Sequence, residues 1–133
     1  MYCVTREFTF CYGHRLFGYE GKCRSLHGHN ARVRVTLSVP ELNSQGMVMD
    51  FTELKAIVGD WIDANWDHRM ILFRGDPMVK LLSDENEPLF IAEQNPTAEY
   101  LAQLLFEIVA KKGFPITRVD FWETAKCFAS YGK

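Results

Sequence analysis

The chain has 133 residues, 47% of them hydrophobic and 14% aromatic, enough for one domain with a real core. Its 24% charged fraction is that of an ordinary globular protein and excludes disorder as a class. Fifteen Lys+Arg against 17 Asp+Glu leave a formal charge of −2, so no global basic excess draws nucleic acid or acidic lipid.

No apolar run approaches the ~20 residues of a membrane span. Arg6 and Glu7 stand where a signal peptide would place its apolar region. A cytoplasmic protein is expected. The four cysteines, Cys3, Cys11, Cys23 and Cys127, are then expected as free thiols. Cys3, Cys11 and Cys127 lie in strand-like apolar surroundings and read as packing residues.

Tyr2 to Phe10 reads as a strand, with Val4, Phe8 and Phe10 on one side. From Ala31 to Val39 the alternation is clean. Val33, Val35, Leu37 and Val39 face one way, and Arg32, Arg34, Thr36 and Ser38 the other. Such a strand is half-buried, with one wet or partner-covered face.

Asp50 starts a helix in a capping-box-like pair with Glu53, and Leu54, Ile57, Val58, Trp61 and Ile62 form its apolar stripe. Residues 74–96 read as a loop-rich excursion within one domain spanning 1–133. A second helix opens at Asn95-Pro96, where proline's missing N–H costs nothing. It repeats the stripe with Leu101, Leu104, Leu105, Ile108 and Val109 and stops at Gly113. Ile116 to Glu123 returns to period two, and Cys127 to Tyr131 is a last short strand. This order, strand-strand-helix-helix-strand-strand, predicts an α+β fold: one antiparallel sheet with two helices on a face. Its exposed edges favour an oligomer.

Three of the four histidines, His14, His27 and His29, lie within sixteen residues. In an extended chain His27 and His29 project to the same face. Pairing of the first two strands brings His14 beside them. Three neutral imidazoles with an open position make a catalytic zinc site, though imidazole also suits other divalent metals. Cys23 could close the same site as a structural fourth ligand, or serve as a reactive thiolate between Lys22 and Arg24. Asp67 can orient His68 if their side chains meet. Glu123 continues the row of Val119 and Phe121, so its carboxylate is paired, protonated, awaiting a ligand, or already at solvent. Glu99 favours its helix N-terminus electrostatically.

Together these segments resemble the 6-pyruvoyltetrahydropterin synthase and 6-carboxytetrahydropterin synthase family over nearly the whole chain. The carriers are Phe10 to His14, Cys23 to His29, Gly46 to Phe51, Asp67-His68, Pro96 to Glu99, and Glu123-Thr124. The resemblance implies the tunnelling fold: a four-stranded antiparallel sheet with two helices, three subunits joined in a barrel, and two barrels stacked as a hexamer with active sites between subunits. It implies that His14, His27 and His29 bind Zn2+, that Cys23 is the base, and that Asp67 and His68 relay protons. Glu123 is then the anchor for the guanidine-like edge of a pterin, with Glu99 and Thr97 lining the pocket from a neighbouring subunit. The implied substrate is 7,8-dihydroneopterin triphosphate, with no organic cofactor. Lys22, Arg24, Arg69 and Lys126 are candidates to face its triphosphate, and solvated surface cations otherwise.

The short Cys23-to-His27 spacing resembles the bacterial 6-carboxytetrahydropterin synthases of the queuosine pathway. A pyruvoyl product, or a non-catalytic pterin-binding module, is the alternative. The chain departs from the family at Cys11-Tyr12-Gly13, Ala31 and Leu72. Tyr12 is expected either to narrow the pocket or to pack outward.

Overall fold

Two long strands set the frame, and both run further than their period-two patterns. In the computed structural model, which describes Met1–Lys133, β1 spans Tyr2–His14 and β2 spans His27–Val39. They pair antiparallel without interruption from Tyr2 opposite Val39 to His14 opposite His27. The expected end of the first strand, Phe10, and start of the second, Ala31, fall short because His14, His27 and His29 break the apolar pattern while remaining in the ladder.

Helix α1 covers residues 51–65, as Phe51–Leu54, a π-type stretch Lys55–Gly59, and Asp60–Asn65. Asp50 caps it by accepting the Thr52 N–H at 2.8 Å. Strand β3 (Arg69–Phe73), helix α2 (Met78–Asp84) and strand β4 (Leu89–Ala92) follow. Helix α3 (Ala98–Lys111) leads into β5 (Ile116–Thr124) and β6 (Cys127–Gly132).

The class is α+β as expected, but the sheet has six strands, in the order β4-β3-β1-β2-β5-β6. β3 pairs parallel to β1 and β4 parallel to β3, so the sheet is mixed rather than antiparallel. The excursion over 74–96 is not a bare loop, since it holds α2 and β4. Arg69–Phe73 and Leu89–Ala92 are short apolar runs without alternation, and periodicity cannot name such runs. The start of α3 is also corrected. Pro96 lies before the helix, and Thr97 caps it by accepting the Tyr100 N–H at 3.1 Å.

One face of the sheet carries the core. Phe10, Tyr12, Ala31, Val33, Val35, Leu37, Val119 and Phe121 cluster with Leu54, Val58 and Ile62 of α1 and with Leu101, Leu105 and Val109 of α3. Of the departures from the family pattern, Ala31 is buried in this cluster, and Leu72 is buried outside it. The other face is polar. Glu7 pairs with Arg34, and Trp122 lies beneath the guanidinium groups of Arg32 and Arg34, at 4.3 and 4.9 Å. All four cysteines are free, as expected, but Cys3, Cys11 and Cys127 are exposed. They sit on strands without packing in the core.

A buried ion pair ties the end of β1 to the turn before α2. Arg15 Nε and Nη2 donate to the Asp76 carboxylate at 2.7 and 2.5 Å, and the Asp76 side chain is fully buried. Burial pushes the Asp76 carboxyl up. The Arg15 guanidinium and the Met78 N–H outweigh it and hold the carboxyl below the ordinary carboxylate range. Arg15→Ala should therefore cost about 3 kcal/mol near neutral pH, the lower end for breaking a buried pair because Arg15 reaches solvent. A carboxyl lowered by folding stabilises above its unfolded pKa, and that contribution is lost as pH falls through the folded one. Urea melts across pH should show the gap between wild type and Arg15→Ala closing below the usual carboxylate range.

Candidate active site

The β1–β2 ladder places Tyr12 opposite His29 and His14 opposite His27, so all four side chains share the core-side face. His14, His27 and His29 each offer one ligand atom, and these lie within 4.8 Å of one another. The Nε2 atoms of His14 and His29 are 3.1 Å apart, close to the ~3.3 Å edge of a tetrahedron with zinc–nitrogen bonds of 2.0–2.1 Å.

The outer nitrogens are held by backbone. His14 Nδ1–H donates to the Pro96 carbonyl and His27 Nδ1–H to the Ser25 carbonyl, both at 2.7 Å. This leaves Nε2 of each ring with its lone pair free, the arrangement a metal requires. Burial lowers the His14 pKa to about 4, with the two neighbouring histidines adding to it against the Pro96 contact. Burial also lowers His29, against the raising effect of Glu123. Both are neutral imidazoles at neutral pH. The donor set therefore fits a divalent, imidazole-binding metal such as zinc.

Tyr12 neither narrows the pocket nor packs outward. It is 3% exposed, with its ring edge-on to His14 at 5.0 Å and to Phe121 at 5.7 Å. It supports the histidines from within the core.

Two cavities flank this cluster. One, of about 610 Å3, is lined by Cys23, His14, Thr97, Glu99 and Glu123, with Phe17 and Phe128. The other, of about 880 Å3, is lined by His29, Asp67, His68 and Glu123, with Arg32 and Trp122. Glu123 stands between them, half-buried, its Oε2 3.8 Å from His29 Nε2. The chain thus gathers Cys23, Thr97, Glu99 and Glu123 beside the histidines, but Asp67 and His68 open into a different cavity from Cys23.

Asp67 and His68 do meet, with Oδ1 to Nδ1 at 2.9 Å. The His68 backbone is left-handed, at φ 58°, which turns the pair against β1. There the His68 N–H donates to the Cys11 carbonyl at 2.7 Å and the Cys11 N–H to Asp67 Oδ1 at 3.1 Å. Of the candidate cations, Lys22, Arg24 and Lys126 are exposed and Arg69 is half-buried.

Asn95 is a residue that sequence reasoning missed. Its amide accepts the Phe17 N–H and donates to the Phe17 carbonyl, both at 2.9 Å. This double bond clamps the β1–β2 loop over the Cys23 cavity. An Asn-Pro dipeptide reads as a helix start, and no spacing signal distinguishes it from a clamp to a distant loop.

An α+β fold carrying a partly buried three-histidine cluster at the mouth of a cavity is a layout that suits a metal-using enzyme. The family model described as 6-pyruvoyl tetrahydropterin synthase matches residues 3–133. A 6-carboxy-5,6,7,8-tetrahydropterin synthase from Rickettsia bellii is 33% identical, over 93% of this chain and 95% of its own. A crystal structure of an uncharacterized protein from Wolinella succinogenes superposes with a TM-score of 0.85 at 28% identity, covering 99% of this chain and 98% of that one. The Caenorhabditis elegans 6-pyruvoyl tetrahydropterin synthase shares the fold, at a TM-score of 0.74 and 24% identity over 99% and 95% of the two chains.

The chain belongs to the 6-pyruvoyl tetrahydropterin synthase family and is an enzyme of its lyase type. That family is metal-dependent in general.

Replacing His27, a half-buried ligand candidate, should weaken zinc binding more than about 100-fold, beyond the usual cost of losing a supporting contact. Metal content after dialysis against a graded chelator would measure it. Retention equal to wild type would remove His27 from the set.

Proposed function

We propose that this chain, as a single domain over 1–133, is a zinc-dependent 6-carboxytetrahydropterin synthase. It would convert 7,8-dihydroneopterin triphosphate and water to 6-carboxytetrahydropterin, acetaldehyde and triphosphate, a step of queuosine-type biosynthesis. The observation that carries the proposal is the three-histidine cluster flanked by Cys23 on one side and the Asp67–His68 pair on the other. The names of the relatives support the carboxy product over the pyruvoyl one.

His14, His27 and His29 would hold the metal. A zinc ion there supplies Lewis-acid polarisation of the substrate's side-chain oxygens, making the adjacent C–H more acidic. Cys23 is assigned as the base that takes the carbon-bound proton. His68, oriented by Asp67, returns a proton elsewhere on the side chain. Glu123 accepts hydrogen bonds from the guanidine-like edge of the pterin. Glu99 and Thr97 line the same cavity, with the Thr97 hydroxyl already engaged as helix cap. Phe17 and Phe128 offer apolar surface to the ring.

The separation of Cys23 from Asp67–His68 within one chain supports a site completed between subunits, in a hexamer built as a dimer of trimers. β4 and β6 bound the sheet, and each leaves an outer edge unpaired.

Cys23→Ala should lower turnover by about 100- to 10,000-fold, the range for a lost general base, while metal content stays at the wild-type level. Loss of metal from that variant would instead make Cys23 a structural ligand. A second measurement tests the shared site. Cys23→Ala and His68→Ala subunits, each inactive alone, should regain activity when co-refolded. Mass spectrometry of the products should find acetaldehyde with the 6-carboxy pterin. Released triphosphate with a 6-pyruvoyl product would assign the other branch. Tight pterin binding without any product would leave a binding module.

A further inference from the structure

A second group of metal-ligating side chains stands outside the histidine cluster. Cys11 of β1 and the Asp67–His68 pair after α1 each offer a ligand atom, and all three lie within 4.8 Å of one another. The three come from chain segments more than fifty residues apart. Two hydrogen bonds to the Cys11 backbone hold them together, one from the His68 N–H to the Cys11 carbonyl and one from the Cys11 N–H to the Asp67 side-chain Oδ1. The thiol is aimed across the polar sheet face, where it donates to Asn30 Oδ1 at 3.3 Å. Cys11 and His68 are exposed and Asp67 is half-buried, so an ion can reach all three from the 880 Å3 cavity.

We propose that Cys11, Asp67 and His68 form a second site for a thiophilic divalent cation of the zinc class, distinct from the histidine cluster and inhibitory when filled. The donor set decides the metal. One thiolate, one imidazole and one carboxylate are zinc ligands, whereas magnesium and calcium take oxygen. Three protein ligands leave a fourth position for water. On binding, the Cys11 thiol releases its proton to solvent and exchanges its contact with Asn30 for the metal. His68 exchanges its contact with Asp67 in the same way. With only three partly exposed ligands, this site is the weaker of the two. It fills after the less exposed histidine cluster, when metal is in excess. The inhibitory part rests on the proton-relay role proposed above for Asp67 and His68. The binding part does not.

The test is titration of metal-free protein with Co2+ and, separately, Zn2+. Wild type should take up a second equivalent per chain. With Co2+, the second equivalent should bring a thiolate charge-transfer band in the near ultraviolet. Cys11→Ala, and the near-isosteric Cys11→Ser, should lose that equivalent and its band while keeping the first. Cys23→Ala should keep both equivalents, which separates the two thiols. Equal stoichiometry and the same band in wild type and both Cys11 variants would overturn the site.

Turnover divides the remaining outcomes. Filling the second equivalent with Zn2+ should lower wild-type activity about 100-fold or more, the contribution of a lost proton-transfer group, and leave Cys11→Ala unaffected. A second equivalent that depends on Cys11 but leaves turnover unchanged would uphold the site and overturn both its inhibitory effect and the relay role of the Asp67–His68 pair.

Discussion

The register of β1 on β2 is the constraint from which the site follows. Thirteen consecutive pairs join Tyr2–His14 to His27–Val39. Side chains alternate across the sheet, so a slip by one residue would move every one to the opposite face. The buried run of Val33, Val35 and Leu37 forbids that slip, because it would send three core side chains to the polar face. The same alternation puts His27 and His29 on the core side and brings His14 up beside them. The hydrophobic effect along the lower half of the hairpin thus positions three imidazoles at its upper end.

What surrounds those imidazoles comes from elsewhere in the chain. The Pro96 carbonyl, just before α3, orients His14. Asn95 of the same segment clamps the loop that carries Phe17. Arg15, next to His14, is fixed to buried Asp76. One short stretch after β4 therefore holds both a histidine and the lid of the Cys23 cavity, which couples the residues 74–96 to the site. The excursion acts as a brace: its strand β4 extends the sheet through β3, and β3 lies directly beside the end of β1 that bears His14.

Asp67 and His68 are placed by the opposite face of the same strand. Cys11 alternates with Tyr12 and His14, so its thiol lies across the sheet from the histidines, and Asp67 and His68 hold their ligand atoms within 4.8 Å of it. This is why Cys23 and the Asp67–His68 pair open into separate cavities, with Glu123 at the boundary. The division is a direct result of pleating, and the proposed site between subunits is the reading that would bring the proposed base and relay to one substrate.

Much of this was legible in the residues. Alternation marked β2 and β5, spacing of three and four marked α1 and α3, and Asp50 marked its helix start. His-Gly-His announced two candidate ligands on one face, since that follows from local geometry in any extended segment. The sequence by itself determined the amphipathic elements, the α+β class and the types of side chain available to a site. It did not determine the six-stranded mixed sheet, because β3 and β4 are too short and too uniformly apolar to show a period. The inward packing of Tyr12, the Asn95 clamp, the Arg15–Asp76 pair and the meeting of Cys11 with Asp67 and His68 were decided only by tertiary structure. Each joins residues dozens of positions apart, and no periodicity in a chain records which of its distant segments the burial of apolar surface will bring into contact.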